Sequence, residues 1–180
     1  LSPNPPKIEA RIAQLTKELA TQNTDLANKT KAYQPLAAAL EKAKADLTNA
    51  QKLVASTQKV NADATAKVNA LKAMIDQLTK EKNAAQAQVT NLTPVAAALK
   101  TAVDQTSAAA AKLPEDKNLT AVVAMVKAQH AEKAAMLAAQ QKVLKEKTAA
   151  LEKATKEKAA ADKELTTATA NYQNAVKTQK

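Results

Sequence analysis

Large apolar residues recur along the first two thirds of the chain at alternating steps of four and three residues. Starting from Ile8, these steps reach 31 positions up to Leu113, and 19 of the 23 Leu, Ile, Val, Met and Tyr residues in that range lie on them. Random placement would put about seven there. A repeat of this kind is the a and d pattern of a coiled coil, in which one apolar stripe packs against another helix. The pattern predicts an all-α protein.

A second seam begins after residue 119. Its a and d positions start at Val123 and Val126 and recur every seven residues to Tyr172 and Ala175. If the chain reverses near Leu113, an a position of one arm faces a d position of the other wherever two residue numbers sum to 229. We therefore expect an extended antiparallel coiled-coil hairpin, or a long helical bundle. Its expected core contains Leu71, Ile75, Leu78, Leu92, Leu99, Val103, Val126, Leu137, Leu144, Leu151 and Leu165.

Two polar residues lie on the first seam where apolar side chains are the rule. Asn61 and Lys82 both occupy a positions. A buried Asn or Lys at an a position can fix the register and the number of strands at a cost in stability, and exposure where the bundle frays is the alternative. Lys82 would also face Lys147 across the hairpin, which is unfavourable unless both side chains extend toward solvent.

Three prolines interrupt the helical pattern. The segments QPLAAAL and TPVAAAL place Pro35 at heptad position c and Pro94 at f, so both rings lie away from the seam. An interior proline removes a backbone hydrogen bond and disfavours helical geometry in the preceding residue. Each predicts either an outward kink or a break with a new helix start, and the preserved seam favours the kink. Pro114, followed by Glu115 and Asp116, predicts a helix start, because proline needs no amide partner there.

These signals divide the chain into five segments. We expect an extended leader over residues 1–6, an N-terminal helix over 7–34, a long helical arm over 35–113 with a kink or break at Pro94, a turn over 114–118 and a returning arm over 119–178. The returning arm reaches back only to about residue 52. The first 50 residues therefore need another partner, either this bundle after a fold-back near Pro35 or a second chain.

Composition argues against most catalytic classes. The chain has no Gly, Cys, Trp or Phe, and alanine accounts for 45 of its 180 residues. Glycine supplies the loops that cradle phosphates, and cysteine supplies thiolate catalysis, zinc clusters and haem attachment. His130 is the only histidine, and we interpret it as a partly buried side chain of the inner seam. We therefore expect no enzyme activity, no cofactor and no metal site.

A formal net charge of +10 raises the question of polyanion binding. The charge is spread evenly along the chain, and arginine and aromatic residues, which read bases and stack on them, are nearly absent. We interpret the lysines as solvated outer faces of helices, with salt-sensitive nucleic-acid or polyanion binding as the alternative. No apolar run approaches the roughly 20 residues of a transmembrane segment. The expected partner is the chain itself, as a homo-oligomer or filament, or another helical protein.

The segments QPLAAALEKAKADL and TPVAAALKTAVDQT and the turn AAAAKLPEDKNL carry a resemblance to a known group. The chain resembles the alanine- and lysine-rich coiled-coil segments of large secreted planctomycete-type multidomain proteins. This resemblance implies an extracytoplasmic location and a spacer or assembly role. We therefore expect a structural coiled-coil spacer, scaffold or self-assembly protein, and a holdase-like helical binding module is a second alternative.

Overall fold

The computed structural model describes residues 4–179 and contains two α-helices and no β-strand in that range. Helix α1 runs from Pro5–Lys112 and has 108 residues, and helix α2 runs from Lys117–Gln179 and has 63. Alanine, lysine, leucine and glutamine rank among the better helix formers, so most of the chain favours this state locally. The all-α prediction is confirmed.

Helix α1 begins earlier than the expected leader over residues 1–6 allows. The carbonyl of Asn4 accepts hydrogen bonds from the amides of Lys7 and Ile8 at 3.0 and 3.2 Å, and Pro5 and Pro6 form the first turn. Prolines fit there because the first amides of a helix have no intrahelical partner. The expected extended segment is therefore wrong for Pro5 and Pro6, and its residues 1–3 lie outside the described residues.

Helix α1 continues through Pro35 and Pro94 without interruption. The alternative prediction of a break or a new helix start at either proline is therefore wrong. The predicted boundary between residues 34 and 35 is wrong for the same reason. Both prolines are exposed. Each ring leaves one carbonyl of the preceding turn without its amide donor, and on the outer face water can hydrate that carbonyl. Thr93, which would be the N-cap of a helix starting at Pro94, instead donates its hydroxyl to the carbonyl of Val89 at 2.7 Å.

The connection between the helices is shorter than the expected turn over residues 114–118. It consists of Leu113 to Asp116, and the amide of Asp116 donates to the carbonyl of Leu113 at 3.1 Å. Pro114 is the second residue of this four-residue turn, a position that suits its fixed φ angle. It does not start a helix, because the cap is Asp116, whose carboxylate accepts from the amide of Leu119 at 3.0 Å. Helix α2 accordingly begins at Lys117, two residues before the expected arm over 119–178.

The chain forms two compact units. One unit comprises Lys59–Asn171, in which the two helices pack against each other as a hairpin. We call it the hairpin unit. The other comprises the residues up to Gln58 together with those from Tyr172 onward. We call it the terminal unit.

Candidate functional site

The hairpin unit buries the two seams that the heptad pattern predicts. Every a and d position from Asn61 to Ala110 on α1, and from Val123 to Ala168 on α2, is half-buried or buried. Val60 and Met74, which lie off the seam, remain more than half exposed. The covered side includes all eleven expected core residues, which are Leu71, Ile75, Leu78, Leu92, Leu99, Val103, Val126, Leu137, Leu144, Leu151 and Leu165.

Alanine provides the most deeply buried side chains of the hairpin unit. Ala85, Ala154 and Ala161 are 3%, 3% and 1% exposed, whereas most of the larger seam residues are only half-buried. A methyl group lets two helix backbones approach closely, and each layer then buries little apolar area. The stability of the hairpin therefore depends on the number of layers rather than on any one large side chain.

Polar contacts also join the helices at the edge of this core. The hydroxyl of Thr169 donates to the side-chain oxygen of Asn61 at 2.8 Å, so the expected polar seam residue is hydrogen-bonded and partly buried. Further along, the ammonium of Lys67 lies 2.7 Å from the carboxylate of Glu164. Residue numbers in these two pairs sum to 230 and 231, next to the expected 229. The contacts agree with the register that the sequence predicts.

The expected conflict between Lys82 and Lys147 is resolved by a neighbouring acid. Lys147 lies 2.6 Å from the carboxylate of Glu81, and both side chains are 35% exposed. Lys82 is half-buried beside them. Hydrogen bonds from Lys147 and then from Gln77 hold the pKa of the Glu81 carboxyl below its ordinary value. Two like charges on the seam are thus tolerated because one of them is paired.

The single histidine and the acidic residues are the candidate groups for a chemical site. His130 is half-buried on the α2 seam, as its heptad position predicts. Across residues 4–179, no three His, Cys, Asp or Glu side chains come together in a way that could hold a metal ion. Over the same residues, neither helix is apolar enough over a sufficient length to cross a membrane. The features that remain are the surfaces of the helices themselves.

The terminal unit exposes a long stretch of the same heptad seam. Its covered part lies at Ala50, Val54 and Thr57, which are half-buried, and at Ala175, which is 4% exposed. Toward the N-terminus every large apolar seam residue is at least 42% exposed. We call these nine residues the open seam: Ile8, Ile12, Leu15, Leu19, Leu26, Tyr33, Leu36, Leu40 and Leu47. A fold-back near Pro35 does not cover them, because α1 is continuous through that residue.

Sequence reasoning missed three residues that shape these surfaces. Glu81 and Thr169 lie beside the seam rather than on it, at flanking heptad positions where ion pairs and hydrogen bonds between helices form. The sequence pattern places Asp116 in the first turn of a helix that starts at Pro114. Asp is also a preferred N-cap residue, and that preference could have identified it as the cap. The heptad frame marks the flanking positions, but it does not say which of them find partners.

Comparisons with protein families, with curated proteins and with solved structures find no match to this chain. The class of protein is therefore defined by the fold alone. It is an all-α helical hairpin with an unpartnered extension of its own seam.

Proposed function

We propose that this chain is a non-catalytic coiled-coil spacer or scaffold that acts by helix–helix association. The observation that carries this proposal is the single seam of α1, which α2 covers from Ala50 onward and leaves open from Ile8 to Leu47. The covered seam makes the paired helices a rigid element. The open seam has the same heptad register and provides that element with a surface that can bind another helix. The extracytoplasmic location is proposed with it, on the resemblance to secreted coiled-coil segments.

Side-chain contacts along the helices support a structural role. Most ion pairs join residues three or four apart on one helix, such as Lys100 with Asp104 at 3.1 Å. Threonine hydroxyls donate repeatedly to the carbonyl four residues earlier, as Thr79 does to Ile75 at 2.7 Å. Contacts of this kind satisfy the polar groups of a helix within the helix itself. They leave the seam as the surface available for association.

Polyanion binding is the main rival. It is supported by the net charge of +10, and it predicts an affinity that falls steeply with salt. The open seam itself does not favour an anion, because the stretch from Ile8 to Leu47 contains six basic and five acidic residues. We therefore expect a fluorescent DNA oligonucleotide to bind weakly at 50 mM salt, and to be released at 200 mM. Tight binding that persists at 200 mM salt would favour the rival.

The spacer proposal is tested by measuring how well α1 holds a distance. Ala66, Ala87 and Ala108 occupy outer positions and are exposed, and the chain has no native cysteine. Spin labels on an Ala66→Cys/Ala108→Cys variant span 42 residues, or about 63 Å of helix. We expect pulsed electron paramagnetic resonance to give a narrow distribution near that distance, at low and at high salt.

The Ala66→Cys/Ala87→Cys variant is the matched control, because its labels do not span Pro94. It should give a narrow distribution near about 32 Å. A broad or shortened distribution for the longer pair alone would place a hinge at Pro94 and would contradict a rigid spacer. Broad distributions for both pairs would show that the hairpin itself is not rigid.

A further inference from the structure

The open seam continues directly from a seam that is already covered. Within the terminal unit, Ala50 is half-buried, and Leu47, three residues earlier at the adjacent seam position, is 49% exposed. Helix α2 ends at Gln179, and in the register of the hairpin that residue lies opposite Ala50. A helix that packs on the open seam therefore continues the covered seam from Ala50 toward Ile8.

We propose that the open seam of one chain binds the open seam of a second copy, antiparallel and in the register where facing residue numbers sum to 55. This inference rests on the proposed scaffold function and names its partner. In an antiparallel pair, a positions face d positions, as they do in the hairpin. For two copies of this segment the rule permits sums that are one heptad apart, and 48, 55 and 62 give the greatest overlap of residues 8–47.

The register of 55 covers the whole open seam. It places Ile8 opposite Leu47 of the second copy, Leu15 opposite Leu40 and Leu19 opposite Leu36. Every large residue of the open seam then lies in the new interface. The two-fold axis falls between residues 27 and 28, so each contact occurs twice.

Charge complementarity distinguishes this register from the other two. In the hairpin, Lys67 and Glu164 occupy the flanking g positions, and their numbers sum to two more than the core register. In the dimer, the same g-to-g pairing, with a sum two above 55, places Arg11 opposite Asp46 of the second copy. On the other flank, the e-to-e pairing, with a sum two below 55, places Glu9 opposite Lys44 of the second copy. Each dimer therefore gains four opposite-charge pairs. Asp46 also accepts from Lys42 within its own helix at 2.7 Å, and a carboxylate has acceptor sites for both.

The neighbouring registers place like charges together. A sum of 48 brings Asp25 against Asp25 of the second copy, and a sum of 62 brings Glu18 against Asp46. A parallel pair in register stacks Lys29 on Lys29 at a core d position. Like charges facing each other at a helix interface are unfavourable, and this selects against all three arrangements.

The first test measures the mass of the full chain by light scattering over a range of concentrations. We expect a species of twice the 18.9 kDa chain mass. Leu19→Glu places a charge in the new interface and should return the protein to a monomer. Leu19 is 57% exposed in the single chain, so the helical circular dichroism of the variant should persist. Ala10→Glu, on the exposed outer face, adds the same charge and should leave the dimer intact.

The second test locates the register by disulfide cross-linking. Residues 12 and 43 lie on one continuous helix, 31 residues or about 46 Å apart, so a disulfide between them joins two chains. Ile12→Cys/Ala43→Cys should give a covalent dimer on mild oxidation. Leu19→Cys/Ala43→Cys, which reports the register of 62, should cross-link far more slowly. Preferential cross-linking of this second variant would overturn the proposed register.

The third test concerns the flanking charges. Arg11→Asp places two like-charge pairs in each dimer and should raise the dissociation constant about tenfold. Adding Asp46→Arg reverses the partner charge and should restore most of the affinity. A double variant no better than the single one would overturn the charge pairing.

Failure of this inference is distinguishable from failure of the spacer proposal. A wild-type chain that stays monomeric throughout, or a dimer that survives Leu19→Glu, overturns self-pairing even if the spin-label distance along α1 is narrow. Binding of a monomeric chain to vesicles of phosphatidylcholine with phosphatidylserine, lost in Leu19→Glu, would assign the open seam to a lipid surface and also overturn it.

Discussion

Asn61 lies on the covered seam of α1 and accepts a hydrogen bond from Thr169 of α2 at 2.8 Å. A polar side chain on an apolar seam lowers stability when it lacks a partner, and this one has a partner only if the two helices keep their register. The same holds for the pair of Glu81 and Lys147. At the scale of single residues, the hairpin is aligned by side chains at the edge of its alanine-rich core.

The coupling between Asn61 and Thr169 can be measured by a double-mutant cycle. We expect Asn61→Ala and Thr169→Ala to show a coupling of about 1 kcal/mol in the free energy of urea unfolding, because one partly buried hydrogen bond joins them. Asn61→Ala combined with Thr155→Ala, whose hydroxyl donates to its own helix, should show additive effects. Additivity in both cycles would show that the contact does not align the helices.

Glu81 should make the hairpin sensitive to acid. Its carboxyl has a pKa below the ordinary value of 4.5, because Lys147 and Gln77 donate to it. A group with a lower pKa in the folded state stabilises that state above its unfolded pKa, and this contribution disappears as pH falls through the folded pKa. We expect Glu81→Gln to lower the midpoint of thermal unfolding at pH 7 and to have less effect near about pH 3.

The control for the acid effect is Glu146→Gln. The carboxylate of Glu146 lies 4.0 Å from Lys142 on the outer face and is 60% exposed, so its replacement should change the midpoint little at either pH. Equal losses for Glu81→Gln at both pH values would mean that the effect comes from packing rather than from the charge.

At the scale of the elements, the helices persist where local preferences oppose them. Pro94 lies inside α1, and Pro114 lies in the turn between α1 and α2. The same residue type therefore has opposite effects at two positions in the hairpin unit. The heptad seam packs on both sides of Pro94, and this packing exceeds the cost of one missing backbone hydrogen bond.

Replacing Pro94 with alanine should stabilise the hairpin. The change restores an amide donor to the carbonyl of Thr90 and removes the ring, which together outweigh the added freedom of the unfolded chain. We expect the free energy of urea unfolding to rise by about 2 kcal/mol. Pro114→Ala is the matched control and should lower it by about 0.5 kcal/mol, because proline suits the turn. A loss of stability in Pro94→Ala would contradict a strained helix interior.

The close approach of the two helices depends on its small residues. Ala161 is 1% exposed, and a larger side chain there must push the helices apart. We expect Ala161→Leu to lower the free energy of unfolding by about 1–3 kcal/mol, as overpacked cores do. Ala159→Leu adds the same side chain at an exposed position two residues earlier and should be nearly neutral. Equal stability of the two variants would show that the interface between the helices can accommodate a leucine side chain at residue 161.

At the scale of the whole chain, two kinds of helix surface are present. In the hairpin unit the seam is covered, whereas in the terminal unit residues 8–47 form helix with an uncovered seam. Helices in water gain most of their stability from packing an apolar face. The open seam is therefore the part of α1 with the least stabilisation from tertiary packing.

Hydrogen exchange should reveal this difference. In a monomeric Leu19→Glu/Leu36→Glu variant, amides of residues 8–47 should exchange before those of residues 85–103, because no tertiary contact protects them. Mass spectrometry after timed labelling would measure both segments in one sample. Uniform protection along α1 would mean that the long helix is stable without packing, and would weaken the argument for a partner.

The sequence alone determined the fold class and the pairing of the hairpin. The positions of Leu71 and Leu151 in their heptads, for example, predict that both lie on covered seams, and both are half-buried. This works because a periodic apolar stripe must be buried, and its period and phase are local properties of the chain. The absence of glycine and cysteine likewise restricts the candidate chemistry, because it removes phosphate-cradling loops and thiolate groups whatever the fold.

Only the tertiary structure decided the remaining points. It showed that α1 passes through Pro35 and Pro94, that Glu81 pairs with Lys147, and that Asp116 rather than Pro114 caps the N-terminus of α2. The continuity of α1 at Pro94 and the pairing of Glu81 depend on contacts with residues of α2, which are distant in sequence and are not part of the local pattern.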